Sequence, residues 1–315
     1  MTTEPGSDHG GPDQALSAVM GERRQLINLA YRLLGSLAEA EDAVQETYAR
    51  WYAMPAQQRQ AIESPGAWLT TVASRICLDV LGSARARREL YVGEWLPEPL
   101  PASAEQPASA AADPADRVTL DESVSMAFLV VLETMTPAER VAFVLHDVFR
   151  YPFADVAEIV GRTPAACRQL ASSARRRVRA SRSPATPAAQ RATAVGNATI
   201  VRDFKVAWEA KDIGALIGLL DPNATATADG GGKVSAALRP IEGGEQVARY
   251  LVGIVARLPR LTITARTVNG QPGLVAELDG AVATVFAFDV AADKITRIWI
   301  IRNPNKLTRW ANQAS

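Results

Sequence analysis

Two proline-rich stretches limit how this chain can fold, because each interrupts the regular spacing of apolar residues. The first, Leu90 to Pro114, contains Trp95-Leu96-Pro97-Glu98-Pro99-Leu100-Pro101. The second, Ser181 to Gln190, contains Ser183-Pro184 and Pro187 among small residues. Proline lacks a backbone donor and blocks long helices, so we predict that both stretches are linkers. The chain has 315 residues, and domains typically have roughly 100 to 150, so three domains are more plausible than one core.

The segments before and between the linkers predict all-helical domains. Apolar residues recur at helical intervals in Leu16–Leu34, Ala38–Trp51 and Ala67–Leu81. Four more helices are predicted from Leu120 to Arg179. Thr136-Pro137 and Thr163-Pro164 would supply the N-cap and first-turn proline of the second and fourth of these.

The pattern after Asn197 predicts an α+β domain. Helices are expected at Thr199–Ala210, at Ile213–Leu220 and near Gly244–Ala256. Alternating or β-branched runs predict strands at Leu261–Val268, Leu274–Leu278, Ala281–Val290 and Ile295–Ile301, and Val234–Leu238 also reads as a strand. We predict a curved antiparallel sheet with helices packed on one face. The full expected order is a disordered tail over 1–14, helical domains over 15–92 and 119–182, linkers over 93–118 and 183–196, and the α+β domain over 197–315.

The charge balance restricts how the chain could contact nucleic acid. There are 34 basic and 34 acidic residues, so such a contact requires a local basic patch. Since no apolar run has membrane length and the N-terminus lacks a signal-peptide core, we predict a soluble cytoplasmic protein without membrane contact. Cys77 and Cys167 have spacings that point each toward a core, so we predict neither a disulfide nor a metal site, and no cofactor.

The most specific local pattern is a helix-turn-helix over residues 153–179. Val156, Ala157 and Val160 line one face of its first helix, and Gly161 permits a tight turn. The inward positions of the second helix are apolar Cys167 and Leu170. Its outer face and the arginines that follow it provide the candidate DNA contacts: Thr163, Ala165, Arg168, Gln169, Ser172, Arg175 and Arg176.

The side chains on this outer face suit DNA. Arginine can donate in a fork to guanine and glutamine can bond to adenine, while the run Arg175, Arg176, Arg177 and Arg179 can meet phosphates. A helical hairpin with a solvated basic face remains the alternative from this segment alone.

An acidic stripe marks the second predicted helix. Ala40, Val44, Thr47, Tyr48 and Trp51 share one face, and a polar stripe beside it contains Glu39, Asp42, Gln45 and Glu46. This stripe is either a docking surface for a basic protein partner or an ordinary solvated face.

Together these segments resemble extracytoplasmic-function sigma factors. Their domain 2 is similar to the run Tyr31-Arg32-Leu33-Leu34-Gly35, to Ala40-Glu41-Asp42-Ala43-Val44-Gln45-Glu46-Thr47-Tyr48, and to Ala67-Trp68-Leu69 with the basic residues that follow. Their domain 4 is similar to the helix-turn-helix. The two matches occur in the order and spacing of the family.

The resemblance implies that RNA polymerase core and promoter DNA are the partners. The acidic stripe would bind the coiled coil of the β′ subunit. Domain 4 would meet the β flap and read the minus-thirty-five element through the outer face of its second helix. The segment Tyr52–Trp68 and the third helix would read and open the minus-ten element, because melted DNA needs a cationic groove and aromatic platforms. The candidate minus-ten contacts are Trp68, Arg75, Arg85, Arg87 and Arg88, with core packing as the alternative for Trp68.

The resemblance extends to the subgroup with a fused SnoaL-like domain of the NTF2-like fold. Three motifs carry it: Trp95-Leu96-Pro97-Glu98-Pro99-Leu100, Asp229-Gly230-Gly231-Gly232-Lys233 and Asn303-Pro304-Asn305-Lys306-Leu307. The third departs from the family, which usually has aspartate where Asn305 stands, so any ion pair of that carboxylate is absent. We expect these motifs to form an interdomain regulatory contact in place of a separate anti-sigma factor.

Other readings of the C-terminal domain stay open on sequence alone. The glycine loop is a poor phosphate-binding loop, because no helix start follows it and the Gly-Lys-Ser/Thr ending is incomplete. The domain contains neither histidine nor cysteine, so an enzyme would need a carboxylate base such as Asp203, Asp229 or Glu277. We expect no catalytic activity. A ligand-responsive regulator that binds duplex DNA without polymerase is the other alternative.

Overall fold

The structure is a computed structural model that describes residues 12–89, 91–102, 124–181 and 187–311. Its N-terminal unit (residues 12–89) contains helices α1 (Pro12–Leu34), α2 (Leu37–Ala53), α3 (Ala56–Gln60) and α4 (Pro65–Glu89). The three predicted helices are confirmed, with longer ends, and the short α3 is additional. Ser36 caps α2 by accepting a hydrogen bond from Glu39 N.

The middle unit (residues 124–181) contains α5 (Met126–Glu133), α6 (Pro137–Phe143), α7 (Phe153–Val160) and α8 (Pro164–Ser181). Thr136 and Glu139 form a reciprocal capping box on α6, and Thr163 caps α8 through Ala166 N at 3.2 Å. Both predicted caps are therefore confirmed. The helix α6 continues into a π-helical turn, Val144–Val148, which the sequence did not predict.

The helix-turn-helix has the predicted turn and a slightly different buried face. Gly161 ends α7 in the left-handed region with φ of 68°. Val156, Ala157 and Ile159 are the buried residues of α7, whereas Val160 is only partly buried. Ile159 therefore takes the buried position that was expected for Val160.

The N-terminal and middle units share one hydrophobic core. It runs without interruption from Leu26 on α1 through Cys77 on α4 to Cys167 on α8. Polar contacts join the same elements, since Tyr151 donates to Thr70 Oγ1 at 3.0 Å. Two helical units that the sequence separates by a linker are therefore packed directly on each other.

The C-terminal unit (residues 187–311) is an α+β domain, as predicted. Its helices are α9 (Pro187–Glu209), α10 (Ile213–Leu219), α11 (Gly244–Arg257) and α12 (Thr308–Ala311). Its strands are β1 (Leu220–Asp229), β2 (Ile241–Glu242), β3 (Leu261–Val268), β4 (Gln271–Leu278), β5 (Ala281–Ala291) and β6 (Lys294–Ile301). Within the described ranges they form a six-stranded sheet in the order β2-β1-β6-β5-β4-β3.

Several expectations for this unit were wrong in detail. The sheet is mixed rather than antiparallel, because β1 pairs with β6 in parallel. Leu220 begins strand β1 and does not end a helix. Residues Val234–Leu238 are irregular, because the chain there folds back over the glycine loop instead of joining the sheet. The predicted second linker is helical from Pro187 onward, where α9 begins.

Both faces of the sheet are covered, not one. Toward α9 and α11 the sheet presents Ala226, Phe286 and Ile298, which pack with Phe204 and Trp208. The opposite face packs against the first linker, α5 and α12. The apolar residues of this second layer, from the sheet and from the elements packed on it, are Leu96, Met126, Val268, Val275, Val285, Ala287, Trp299, Ile301, Leu307 and Trp310. This second layer joins the C-terminal unit to the rest of the chain.

Across the described residues, no helix is long and apolar enough to cross a membrane.

The turn at Gly161 generates a stability prediction. A Cβ at Gly161 would meet nothing within 4 Å, so Gly161→Ala should destabilise through the left-handed backbone alone, by about 1 kcal/mol. Gly253 in α11 also has free space around it, and Gly253→Ala should stabilise by about 0.5 to 1 kcal/mol. Hydrogen exchange measured by peptide should show faster exchange around α7 and α8 in the first variant and slower exchange in α11 in the second. Equal exchange around α7 in Gly161→Ala and the unaltered protein would contradict the argument.

Candidate functional site

The outer face of α8 is exposed as predicted. Cys167, Ala171 and Ala174 point into the core and are fully buried. The exposed residues of the face are Thr163, Ala165, Arg168, Gln169 and Ser172. The guanidinium of Arg168 and the amide of Gln169 are therefore on the surface, where their N–H donors can reach base edges.

The arginines after this face divide into two kinds. Arg175 forms an ion pair with Asp147 at 2.6 Å, and Arg177 donates to the Thr134 carbonyl at 2.8 Å. Both are therefore tied to the middle unit itself. Arg176 is exposed, and within the described part of the chain it has no ion-pair partner. Of the two arginines expected to meet phosphate, Arg176 is the one whose charge stays on the surface.

The candidate minus-ten residues on α4 are not equivalent. Arg75 is exposed, but its Nη2 donates to the carbonyl of Glu158 at 3.1 Å and lies 3.3 Å from Glu158 Oε1 on α7. Trp68 is partly buried, with its ring 5.2 Å from that of Trp51. The remaining candidates belong to the end of α4, and their side chains lie outside the described residues: Arg85, Arg87 and Arg88.

The acidic stripe on α2 is mostly open to solvent. Asp42, Gln45 and Glu46 are exposed and Glu39 is half-buried. Glu46 pairs with Arg50 one turn later at 2.8 Å, with both side chains more than half exposed. Such a pair contributes little to stability, so the stripe can accept another basic partner at low cost.

The first linker packs into the start of α2. Glu98 is buried, and its Oε2 accepts a hydrogen bond from Leu37 N at 2.8 Å. Its own N–H donates to the Gly35 carbonyl at 2.8 Å. Burial raises the pKa of the Glu98 carboxyl. The linker glutamate thus supplies a second acceptor to the first turn of α2, beside the Ser36 cap.

A buried ion pair within the C-terminal unit accepts hydrogen bonds from the linker. Asp229 is completely buried and Lys306 nearly so, and Lys306 Nζ lies 2.7 Å from Asp229 Oδ2. Asp229 also accepts from Tyr91 Oη at 2.6 Å and from Leu96 N at 2.9 Å. The Lys306 ammonium lies 3.9 Å from the centre of the Trp95 ring. Every charge in this site has several partners, which is what a buried pair requires.

The glycine loop and the C-terminal motif surround this ion pair. Gly231 lies against the amide of Asn303, and Gly232, with φ of 68°, lies against Val92. Asn303 donates to Tyr91 Oη at 2.8 Å. The remaining motif residues follow the same path: Pro97 is buried in the linker, Gly230 begins the loop, and Pro304 begins a 3-10 turn.

Lys233 and Asn305 pair within the C-terminal unit. Lys233 Nζ donates to Asn305 Oδ1 at 2.8 Å, and Lys233 is exposed. The amide of Asn305 therefore keeps a hydrogen bond to the lysine, while the ion pair that aspartate would form there is replaced by a bond from the charged ammonium to an uncharged oxygen. Lys233 forms no hydrogen bond or ion pair with the described part of the linker, residues 91–102, in contrast to Asp229 at the other end of the loop.

Sequence reasoning missed Asn269 of the C-terminal unit, whose side chain contacts both helical units and the linker. It lies in the turn between β3 and β4 with φ of 50° and is completely buried. Its Nδ2 donates to Tyr31 Oη and to the Val124 carbonyl, both at 2.8 Å. Its Oδ1 accepts from Leu100 N at 3.0 Å. The only sequence signal was Asn269-Gly270, a hairpin pair that usually marks an exposed turn.

The three carboxylates considered for an enzyme lie on three different elements, α9, β1 and β4. Asp203 is exposed on α9, Glu277 is partly buried on β4, and Asp229 is occupied by the linker contacts. Cys77 and Cys167 are buried, as predicted, and burial raises the pKa of the Cys77 thiol to about 12. Among the described residues, no group of His, Cys, Asp and Glu is arranged to hold a metal.

Comparison with known proteins agrees with this arrangement. Residues 18–87 match Sigma-70 region 2, and residues 125–178 match Sigma-70, region 4. The chain is 40% identical to the ECF RNA polymerase sigma factor SigJ of Mycobacterium tuberculosis, with 91% of each chain covered. It is 35% identical to the probable ECF RNA polymerase sigma factor SigI of the same organism, over 94% of this chain and 95% of the relative.

A solved structure extends the comparison to the fold. The crystal structure of Mycobacterium tuberculosis SigJ matches with a TM-score of 0.72 and 37% identity, and the match covers 93% of this chain and 98% of that one. The similarity thus includes both helical units and the α+β unit. The chain belongs to the ECF RNA polymerase sigma factors.

Proposed function

We propose that this sigma factor binds RNA polymerase core through α2, reads promoter DNA through α4 and α8, and is regulated by its own C-terminal unit. Binding to core and promoter-specific initiation are the activity of the family. The assignment of surfaces rests chiefly on one observation: both the acidic stripe of α2 and the outer face of α8 are exposed in the same chain.

The exposed carboxylates of α2 support the assignment of this helix to polymerase binding. Asp42 and Glu46 lie one turn apart on α2 with Gln45 beside them, and all three are exposed. A basic coiled coil on the β′ subunit would meet them along one helix face. The middle unit would contact the β flap.

For DNA, the proposal divides two tasks between the helical units. Arg168 and Gln169 would contact bases of the minus-thirty-five element, and Arg176 would contact phosphate. Arg75, Arg85, Arg87 and Arg88 would line the path of the melted minus-ten strand. Tyr52, which is 61% exposed at the end of α2, offers a more accessible stacking surface than the partly buried Trp68.

The distance between the two promoter elements supports the regulatory part of the proposal. The two promoter elements are centred about 25 base pairs apart, roughly 85 Å along straight duplex. Compact units of about 65 residues have radii of gyration of ~11 Å. Two such units in contact would therefore be too short to bind both promoter elements at once. The N-terminal and middle units are in contact here through a shared core. The packed arrangement would therefore block promoter binding by spacing rather than by covering the recognition residues.

The C-terminal unit would hold this packed arrangement. It contacts the N-terminal unit through Asn269 and Tyr31, the linker through Asp229 and Leu96, and the middle unit through Val124. Because the unit is covalently attached, even a weak contact is well populated at an effective concentration on the order of millimolar. A separate anti-sigma factor is not required for this regulation.

Charge reversal tests the polymerase assignment. Asp42→Lys combined with Glu46→Lys should abolish binding to core, since the surface would repel a basic partner. Asp203→Lys combined with Glu245→Lys is the matched control, because both residues are exposed carboxylates on helices of the C-terminal unit. A pull-down with purified core measures both variants. Equal capture of the two variants would overturn the assignment.

Removal of one side chain tests the regulatory arrangement. Asn269→Gly deletes three side-chain hydrogen bonds without straining the turn, at a cost of about 1 to 3 kcal/mol. The radius of gyration in solution should rise, and transcription in vitro should increase at limiting core. Asp279→Gly is the matched control, because Asp279 has the same backbone conformation, φ 54°, in an exposed turn. An unchanged scattering profile for Asn269→Gly would contradict the proposal.

The buried Glu98 carboxyl predicts a pH dependence. Its pKa is raised in the packed state, so that state binds the proton more tightly than the free linker does. Packing is then strongest below the ordinary pKa and weakens as the pH rises through the raised value. Glu98→Gln keeps an acceptor and removes the charge, so the fall in melting temperature as the pH rises above the ordinary pKa of 4.5 should be smaller in the variant. Parallel melting profiles for variant and unaltered protein would show that Glu98 does not couple to packing.

A further inference from the structure

The side chain of Arg168 lies on a stack of two aromatic rings. Its guanidinium carbon is 5.6 Å from the centre of the Phe153 ring. Phe153 in turn stacks on His146, with ring centres 3.7 Å apart and 24° between the planes. His146 Nδ1 lies 2.8 Å from the Tyr151 carbonyl oxygen. A carbonyl oxygen only accepts, so this nitrogen carries the hydrogen and the imidazole ring is held in orientation.

The π-helical turn Val144–Val148 supplies the base of this stack. Its residue His146 supports Phe153, and the next residue, Asp147, accepts from Arg175 Nε at 2.6 Å. Arg168 and Arg175 are seven residues apart on α8 and therefore share a helix face. Two adjacent residues of one irregular turn thus fix two arginines of α8, one by an ion pair and the other through aromatic rings.

The two contacts leave Arg168 and Arg175 with different N–H groups free to donate hydrogen bonds. Arg175 uses its Nε in the pair with Asp147 and is only partly exposed. Arg168 has its guanidinium carbon over the Phe153 ring, and no described residue accepts a hydrogen bond from it. A stacked guanidinium keeps its in-plane N–H donors available, and those donors form the fork that fits guanine O6 and N7.

We propose that Phe153, supported by His146, is a positioning residue that presents the donor edge of Arg168 to a base of the minus-thirty-five element. This inference rests on the proposed function of α8 as the reading helix. A long arginine side chain loses rotamer freedom when it binds a base, and the ring stack restricts that freedom before binding. Phe153 then contributes to base selection without contacting DNA.

The test is base preference, measured position by position. The full chain with purified core would transcribe a promoter library randomised across the minus-thirty-five element, and the transcribed templates would be sequenced. Arg168→Ala should flatten the preference at one position. Phe153→Leu, which keeps apolar volume and removes the ring face, should reduce the preference at that same position by about two- to five-fold. Phe153→Tyr, which keeps the ring face, should retain it.

Two further variants separate positioning from a structural role. Phe153→Leu added to Arg168→Ala should cause no further loss at that position, because the ring acts through the arginine. His146→Asn keeps a donor for the Tyr151 carbonyl and removes the supporting ring, so it should give a smaller loss at the same position if Phe153→Leu fails to fold. Phe153→Leu and His146→Asn should both leave the base preferences at the other positions unchanged.

The outcomes that overturn the proposal are distinct. If Arg168→Ala alters one position while folded Phe153→Leu and His146→Asn leave it unaltered, the stack does not position Arg168. A loss spread evenly over all positions would assign Phe153 to stability alone. Should Arg168→Ala change no base preference, direct readout by this arginine is wrong and the positioning proposal is overturned with it, while polymerase binding through α2 is unaffected.

Discussion

The carboxylate of Asp229 is buried at the end of β1, where the linker packs on the C-terminal unit, and the docking of the linker depends on how this charge is compensated. An uncompensated charge in such a place costs several kcal/mol. Tyr91 and the backbone of Leu96 provide two of its hydrogen bonds, and both belong to the linker. If the linker left, Asp229 would lose those donors and gain water. The docked state and such an undocked state would be two alternative ways of solvating one ion pair, which would suit a two-state element.

The contacts between the helical units have a different character. Their shared core is apolar, while a polar contact at its edge, Arg75 with Glu158, is exposed and contributes at most about 1 kcal/mol. Opening would expose apolar surface, so it needs a partner that covers that surface or supplies binding free energy elsewhere. In the proposed function, RNA polymerase and promoter DNA together would do so, because the exposed faces of α2 and α8 would allow binding to begin before the units separate.

Local patterns in the sequence predicted local structure, and long-range contacts account for most of what was missed. The caps at Thr136 and Thr163 and the strand β3 follow from nearby residues. Strand β1 was missed because Ala224 and its neighbours have weak strand propensity, and its parallel partner is remote in sequence. Arg175 was placed with the surface arginines because Asp147, its partner, is 28 residues away. The role of Asn269 depends on Tyr31 and Leu100, which no local signal connects to a hairpin turn.

The C-terminal unit and the helical units belong to one polypeptide, and under the proposed regulation this has a consequence for gene dosage. A separate inhibitor is titrated, so its effect depends on the ratio of two protein concentrations, and overproduction of either partner shifts the response. Here that ratio would be fixed at one to one at every expression level. The sensitivity of the proposed regulation would consequently be encoded in the strength of the interface itself, and a cell would retune it by substitution at residues of that interface.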